Sequence, residues 1–459
     1  MSLSLGHVLA KGIGFLGLVW LARLVDGTEL GRFATVITIV GYMTAISNWG
    51  SDAVAIRHVA RFPETGGDVG RIVTRSRLIV GAICYVGFSC VAVGLGGLGW
   101  AIGPVGVATL AYAYRRDWSL LARGKGKWIA LSQTIREVLF AGLVLGLVAQ
   151  GPSAGAALWA VAIADAGWTV ATLLFSGDPG KRSAKGSVLG VNWLFREGWP
   201  IAIVSIMTMT YNKIDVPILA MFRPADEVGA YWAAYTILFG VMGLAALFTR
   251  AALPEMSRLA SIGKTGGLSS SFHLALIACV AGSVLSITLG VRAEQIVVAL
   301  YGPGLRQSGE YLRILAAILP AYFLGSVLIG RLVAEGSQRR WAIAAILAAA
   351  ANVVLNLFLI PRIGAKGAAF ATIASEWSMA GIVLWSYREH EHREALYLSV
   401  FWIVFTFALT LLALNALSGH PSLSLMLPIV PLLCGLPIAL QRVPRLLSLR
   451  PVIHPSPLG

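Results

Sequence analysis

Apolar runs of about twenty residues recur along the whole chain, the length a helix needs to cross a hydrocarbon core of about 30 Å. Short polar segments separate them. The runs fall at residues 5–25, 33–56, 78–97, 100–122, 128–149, 154–175, 198–221, 229–253, 270–291, 311–334, 341–361, 367–387, 396–416 and 423–441. Glycines between Gly94 and Gly99, together with Pro104, blur the boundary between the third and fourth. With 57% hydrophobic and 12% charged residues, the chain has too little polar surface for a soluble domain, which averages about 25% charged. A closed barrel would need alternating segments of about ten residues instead of continuous apolar runs. The chain is therefore expected to be an all-α integral membrane protein of about fourteen transmembrane helices. Lys11 inside the first run, and the absence of a small-residue cleavage site after it, predict that the first helix is retained.

The net charge of +15 is best understood through its division between the two faces of a membrane. With the amino terminus inside, the expected inner loops carry 25 Lys and Arg and the outer loops 6. Both termini are then cytoplasmic, in a cell inner membrane, and the positive charge faces anionic lipid. No nucleic-acid partner is expected. Cys84, Cys90, Cys279 and Cys434 all fall inside apolar runs, where they serve as packing residues and not as disulfide partners.

The chain also repeats itself. Glu29-Leu-Gly31-Arg-Phe33 recurs as Glu227-Val-Gly229-Ala-Tyr231, an offset of 198. Leu120 to Trp128 recurs as Leu332 to Trp341, and Gly155-Ala-Ala-Leu as Gly367-Ala-Ala-Phe, both at an offset of 212. Each repeat holds six helices, so the copies enter the membrane in the same orientation, one of the known transporter architectures. Two pseudo-symmetric six-helix lobes are expected at 1–176 and 198–387, joined by a cytoplasmic linker at 177–197. Residues 388–459 add two further helices and a tail.

Three stretches carry a resemblance. The first is Ala22-Arg-Leu-Val-Asp-Gly-Thr-Glu-Leu-Gly31-Arg-Phe33. The second is Tyr211-Asn-Lys-Ile-Asp215, followed by Val228-Gly-Ala-Tyr231 and Ala252-Leu-Pro254-Glu-Met-Ser257. The third is Leu300-Tyr-Gly302-Pro-Gly304 with Asn352, Leu355-Asn356 through Pro361 and Gly364-Ala-Lys-Gly367. Over roughly 1–390 the chain resembles the Wzx-type polysaccharide-biosynthesis (O-antigen) flippases of the multidrug/oligosaccharidyl-lipid/polysaccharide exporter superfamily. The resemblance implies two lobes in a V that open alternately to either side of the membrane. It also implies a polyprenyl-diphosphate-linked glycan as cargo, with membrane lipids and glycan-assembly proteins as further partners. The two additional carboxy-terminal helices resemble those of lipid II flippases in the same superfamily.

Ionisable residues inside spans cost about 2.5–3.5 kcal/mol each on insertion scales and tend to face a wet cavity or a partner. Lys11, Lys213 and Arg250 are the candidate cations for the diphosphate. For Lys11 and Arg250 this role also follows from the resemblance, and snorkelling to an interface is the plainer alternative for all three. Asp52 is a candidate counter-ion for Lys11. Asp215, about 200° from Lys213 on an ideal helix, is expected to find a different partner. Arg136 and Glu137, adjacent and about 100° apart, are expected to pair with separate helices. Asp165 and Glu376 occupy matching positions in the two repeats, where they could titrate in coupling or pack at the repeats' own interfaces.

No metal site or cofactor is expected. His390 and His392 lack further ligand residues, Gly94 to Gly99 has no strand before it as a dinucleotide site requires, and the Gly124-Lys-Gly-Lys127 loop lacks P-loop spacing. Energy must come from an ion gradient or the membrane potential. A cation-coupled multidrug exporter is the alternative within transport. A membrane glycan polymerase or ligase, being an enzyme, would need a large outer loop with catalytic polar residues.

The charge division makes a testable prediction about sidedness. Cysteines replacing Lys185 and Gly459 should be protected from an impermeant thiol reagent in intact cells, whereas one replacing Thr28 should react. Labelling at position 185 would reverse the assigned orientation.

Overall fold

The structure, a computed structural model, describes residues 2–94, 97–177, 190–261 and 264–387. In chain order the helices are α1 (Ser2–Leu24), α2 (Gly27–Asn48), α3 (Ser51–Arg61), α4 (Gly66–Gly94), α5 (Ile102–Tyr114), α6 (Asp117–Ala122), α7 (Gly126–Leu143), α8 (Ala154–Ser176), α9 (Val191–Lys213) and α10 (Asp215–Phe222). They continue as α11 (Ala225–Ser261), α12 (Lys264–Val291), α13 (Ala293–Tyr301), α14 (Ser308–Leu315), α15 (Leu319–Ala334), α16 (Gln338–Ile363) and α17 (Ala365–Trp385). Twelve of the expected spans fall on these helices. The spans at 396–416 and 423–441, with Cys434, His390 and His392, lie outside the described residues. Exposed Ile83, Val93, Leu174 and Val354 give the helices the apolar outer surface that a bilayer requires.

Several boundaries differ from expectation, three of them for a clear local reason. The second run does not continue to residue 56, because Trp49 (φ 46°) and Gly50 (φ 72°) take the left-handed conformation and break the helix before α3. Helix α4 begins at Gly66 instead of 78, since Val69, Ile72 and Val73 provide a buried face ahead of the apolar run. Helix α9 begins at Val191, inside the expected linker, because Leu194 is fully buried and holds its first turns.

The repeat is visible in the backbone. Gly124 (φ 68°) and Gly336 (φ 72°) end α6 and α15 in the same way. Lys125 N donates to Leu120 O at 2.8 Å and Ser337 N to Leu332 O at 2.8 Å, closing matching carboxy-terminal caps. The two glutamates of the first repeated motif also do the same work. Glu29, in the first turn of α2, accepts from Ala154 N at the start of α8 at 2.7 Å. Glu227, in the first turn of α11, accepts from Ala365 N at the start of α17 at 2.6 Å. Each carboxylate satisfies an orphan amide at a helix start.

The described residues form two compact units, one within 1–233, 297–307 and 353–368, the other within 234–296, 308–352 and 369–387. In the first, glycines let α1 lie close on α7: a β-carbon at Gly17 would stand 2.9 Å from Phe140. In the second, α12 packs along α15 with Gly282 against Leu319 O. Interhelical hydrogen bonds reinforce it, from Asn352 Nδ2 to Ser375 Oγ at 3.0 Å and from Trp377 Nε1 to Ala317 O at 3.2 Å.

The paired caps predict a paired loss. Glu29→Ala and Glu227→Ala should each lower the melting temperature of the purified protein, reflecting about 1 kcal/mol for a lost amino-terminal cap. Unchanged melting in both would show that the caps carry no stability.

Candidate functional site

The first repeated motif brings two helix starts together. A β-carbon on Gly31 of α2 would lie 1.7 Å from Ala225 O, and one on Gly229 of α11 would lie 2.1 Å from Gly27 O. No residue larger than glycine fits either position. Backbone therefore meets backbone through the same residue of each repeat. One turn further in, Phe33 and Trp232 meet edge to face with centroids 5.7 Å apart.

Helix seven of the expected spans is interrupted. It runs as α9 to Lys213, pauses at Ile214 and resumes as α10 at Asp215. Asp215 is 4% exposed. Its Oδ2 accepts from the Tyr231 hydroxyl of α11 and its Oδ1 from Val216 N at 2.9 Å. Lys213, half-buried, lies within electrostatic reach of it, as does Tyr42 of α2. Asp215 thus takes its side-chain hydrogen bond from another helix, with Lys213 close enough to act on it electrostatically.

The remaining candidates are placed individually. Lys11 is exposed on α1 and makes no hydrogen bond or ion pair among the described residues. The Arg250 side chain lies outside what the structure describes. Asp52 pairs with Arg77, not Lys11, and accepts from Asn48 Nδ2 at 3.0 Å. Arg77, just ahead of the third apolar run, is 2% exposed. It also donates to Ser51 Oγ and Arg115 O, each at 3.1 Å, and stacks over Tyr112. Arg331 is buried likewise, donating to Glu335 at 2.6 Å.

Arg136 bridges Asp165 of α8 at 2.6 Å and its neighbour Glu137 at 2.8 Å, so one guanidinium serves two carboxylates. Separate helices are not needed, because the long side chain reaches both. Glu376 is 7% exposed in the other unit, within electrostatic reach of Tyr322. The stretch corresponding to Arg136 there is Leu347 to Ala349, with no cation, so the two matching carboxyls stand in different surroundings. Among the described cysteines, Cys279 is buried and Cys84 half-buried, whereas Cys90 is exposed on the apolar surface.

Arg23 and Tyr231 were not singled out by the sequence. Arg23 donates to Ala299 O and Leu300 O, capping the carboxy-terminal end of α13. With Asp26, Gly302 and Leu305 it lines a cavity of about 440 Å³. Beside it, burial pushes the Tyr301 phenol above its ordinary pKa, and its hydroxyl donates to Ala233 O at 3.2 Å. Tyr231 stood inside a quoted stretch, but its tie to Asp215 spans two helices, which periodicity does not reveal.

These contacts unite the stretches on which the resemblance rests: Tyr211–Asp215 with Val228–Tyr231 through Asp215, and Ala22–Phe33 with Leu300–Gly304 through Arg23. A family model described as "Polysaccharide biosynthesis protein" matches residues 1–260. The chain belongs to the polysaccharide biosynthesis protein family. A second family model, MatE, matches residues 200–358. Probable flippase AglR of Haloferax volcanii is 26% identical over 187 residues, 39% of this chain and 38% of the relative. The match thus spans under half the length of that relative. The solved structure of "Lipid II flippase MurJ, inward closed conformation" aligns with TM-score 0.70 at 12% identity, covering 97% of this chain and 99% of that one. An inward-facing multidrug resistance MATE family transporter of the MOP superfamily aligns with TM-score 0.61 at 13% identity, covering 86% and 95%. This polysaccharide biosynthesis protein is thus a multi-pass membrane protein with the fold of MOP-superfamily transporters.

Proposed function

We propose that the protein flips a polyprenyl-diphosphate-linked oligosaccharide from the cytoplasmic to the outer leaflet by alternating access. The lobes at 1–176 and 198–387 are the moving parts, with 177–197 as linker and 388–459 as an appendage. Both termini are cytoplasmic. The observation that carries this reading is Lys213, a cation held half-buried at the interruption of a membrane helix in a chain of the polysaccharide biosynthesis family. The flippase relative supports it. The Gly31 and Gly229 crossing serves as the closed outer gate, since it lies at the helix starts that the charge division assigns to the outer face.

A diphosphate carries about two negative charges, which hydrocarbon alone excludes. Lys213, Lys11 and Arg250 offset that charge along the route. An inside-negative potential then favours outward movement by about 2.3 kcal/mol per charge per 100 mV, or roughly 4.6 kcal/mol for two. Asp215, beside Lys213, supports a second reading: an acidic cavity for organic cations in a cation-coupled multidrug exporter, consistent with the MatE match.

The double variant Lys213→Ala, Arg250→Ala should abolish export of the lipid-linked glycan, measured by its accessibility to an external glycosidase, at unchanged protein level. Arg250→Lys should be milder than Arg250→Ala, because positive charge remains. Wild-type export in the double variant would remove the cationic-route mechanism and leave the multidrug reading as the stronger one.

A further inference from the structure

One end of the first unit has an apolar core of its own. Val54 and Val59 of α3, Val69 and Val73 of α4, Trp118 of α6 and Leu194 of α9 are all buried in a single cluster. Four short or terminal helical segments are thereby fastened into one cap. Arg57 of α3 reaches Glu197 of α9 at 2.8 Å, adding a polar tie across it.

The outer surface of this cap is basic. Arg61, Arg75 and Arg196 are exposed and make no hydrogen bond or ion pair among the described residues. Arg71 is neutralised by Asp68 and Arg57 by Glu197, which leaves Glu64 as the exposed carboxylate nearby. Phe62, at the end of α3 and followed by Pro63, is 48% exposed. The three unneutralised cations are all arginine, whose planar fork matches phosphate oxygens bidentately. An amphipathic helix with cations on its polar face and an exposed aromatic at its end suits the boundary between headgroups and acyl chains.

We propose that this cap is a binding surface for the phosphate headgroups of anionic phospholipids. It goes beyond the flippase reading and stands without it, because it concerns the surrounding membrane and not the cargo. The rigid core matters here: it fixes the helix backbones that carry the three arginines, so binding does not have to immobilise a loop. Each basic residue near such a surface contributes about 1 kcal/mol, roughly a fivefold change in affinity.

The test uses the full chain in detergent, its four native cysteines replaced by alanine and an environment-sensitive fluorophore attached at Pro63→Cys. Short-chain phosphatidylglycerol should shift the fluorescence saturably, short-chain phosphatidylcholine should not, and inorganic phosphate should not compete. The triple variant R61Q/R75Q/R196Q should weaken phosphatidylglycerol binding by at least about fivefold, and lysine at the same three positions should restore most of it. Equal responses to the two lipids, or an unweakened triple variant, would overturn the proposal. Competition by inorganic phosphate would also overturn it, reassigning the arginines to a soluble anion. Export of lipid-linked glycan is not part of the readout, so the two proposals fail separately.

Discussion

The backbone contact between α2 and α11 is the constraint on which much of the first unit depends. Inside a bilayer, helices gain little from burying apolar side chains against one another, and close approach through small residues takes over. Gly31 and Gly229 allow that approach where any side chain would collide with a carbonyl. The same first turns are held from the other side by Glu29 at the start of α8 and Glu227 at the start of α17. Crossing and caps come from one motif used twice, so the duplication placed a contact surface and its own supports together.

The ionisable groups separate by how they are paired. Arg77 with Asp52, and Arg136 with Asp165 and Glu137, are guanidinium groups with carboxylates in direct contact. Removing Asp52 would leave the buried Arg77 guanidinium without its carboxylate, and removing Asp165 would leave Arg136 only Glu137, so these pairs contribute to the scaffold. Lys11 makes no hydrogen bond or ion pair among the described residues. Lys213 sits at a helix interruption within electrostatic reach of Asp215, which also accepts from the Tyr231 hydroxyl. Helix interruptions at membrane depth are tolerated where they line a cavity or are enclosed by protein, and the one after Lys213 is of this kind.

The helices and the repeat were legible in the sequence because hydrophobic length and fixed offset survive without knowledge of contacts. The caps at Gly124 and Gly336 confirm the offset of 212 at the level of single hydrogen bonds. The break before α3 was not legible, since it needs a non-glycine residue, Trp49, in the left-handed region. Pairings were the weakest inference. Asp52 takes Arg77 instead of Lys11, and Arg77 leaves its expected loop for the interior, because an arginine side chain reaches several residues from its own position in the chain. The link from Asp215 to Tyr231 likewise joins residues on different helices.

The glycine crossing is the proposed gate, and as a gate it must close. Spin labels at Thr28→Cys and Asp226→Cys, flanking Gly31 and Gly229, measure the separation of the two helix starts by pulsed electron resonance. A short-distance population in the otherwise wild-type chain that is lost on Gly31→Val is the expected result. A short-distance population undiminished by Gly31→Val would contradict the crossing and the gate built on it.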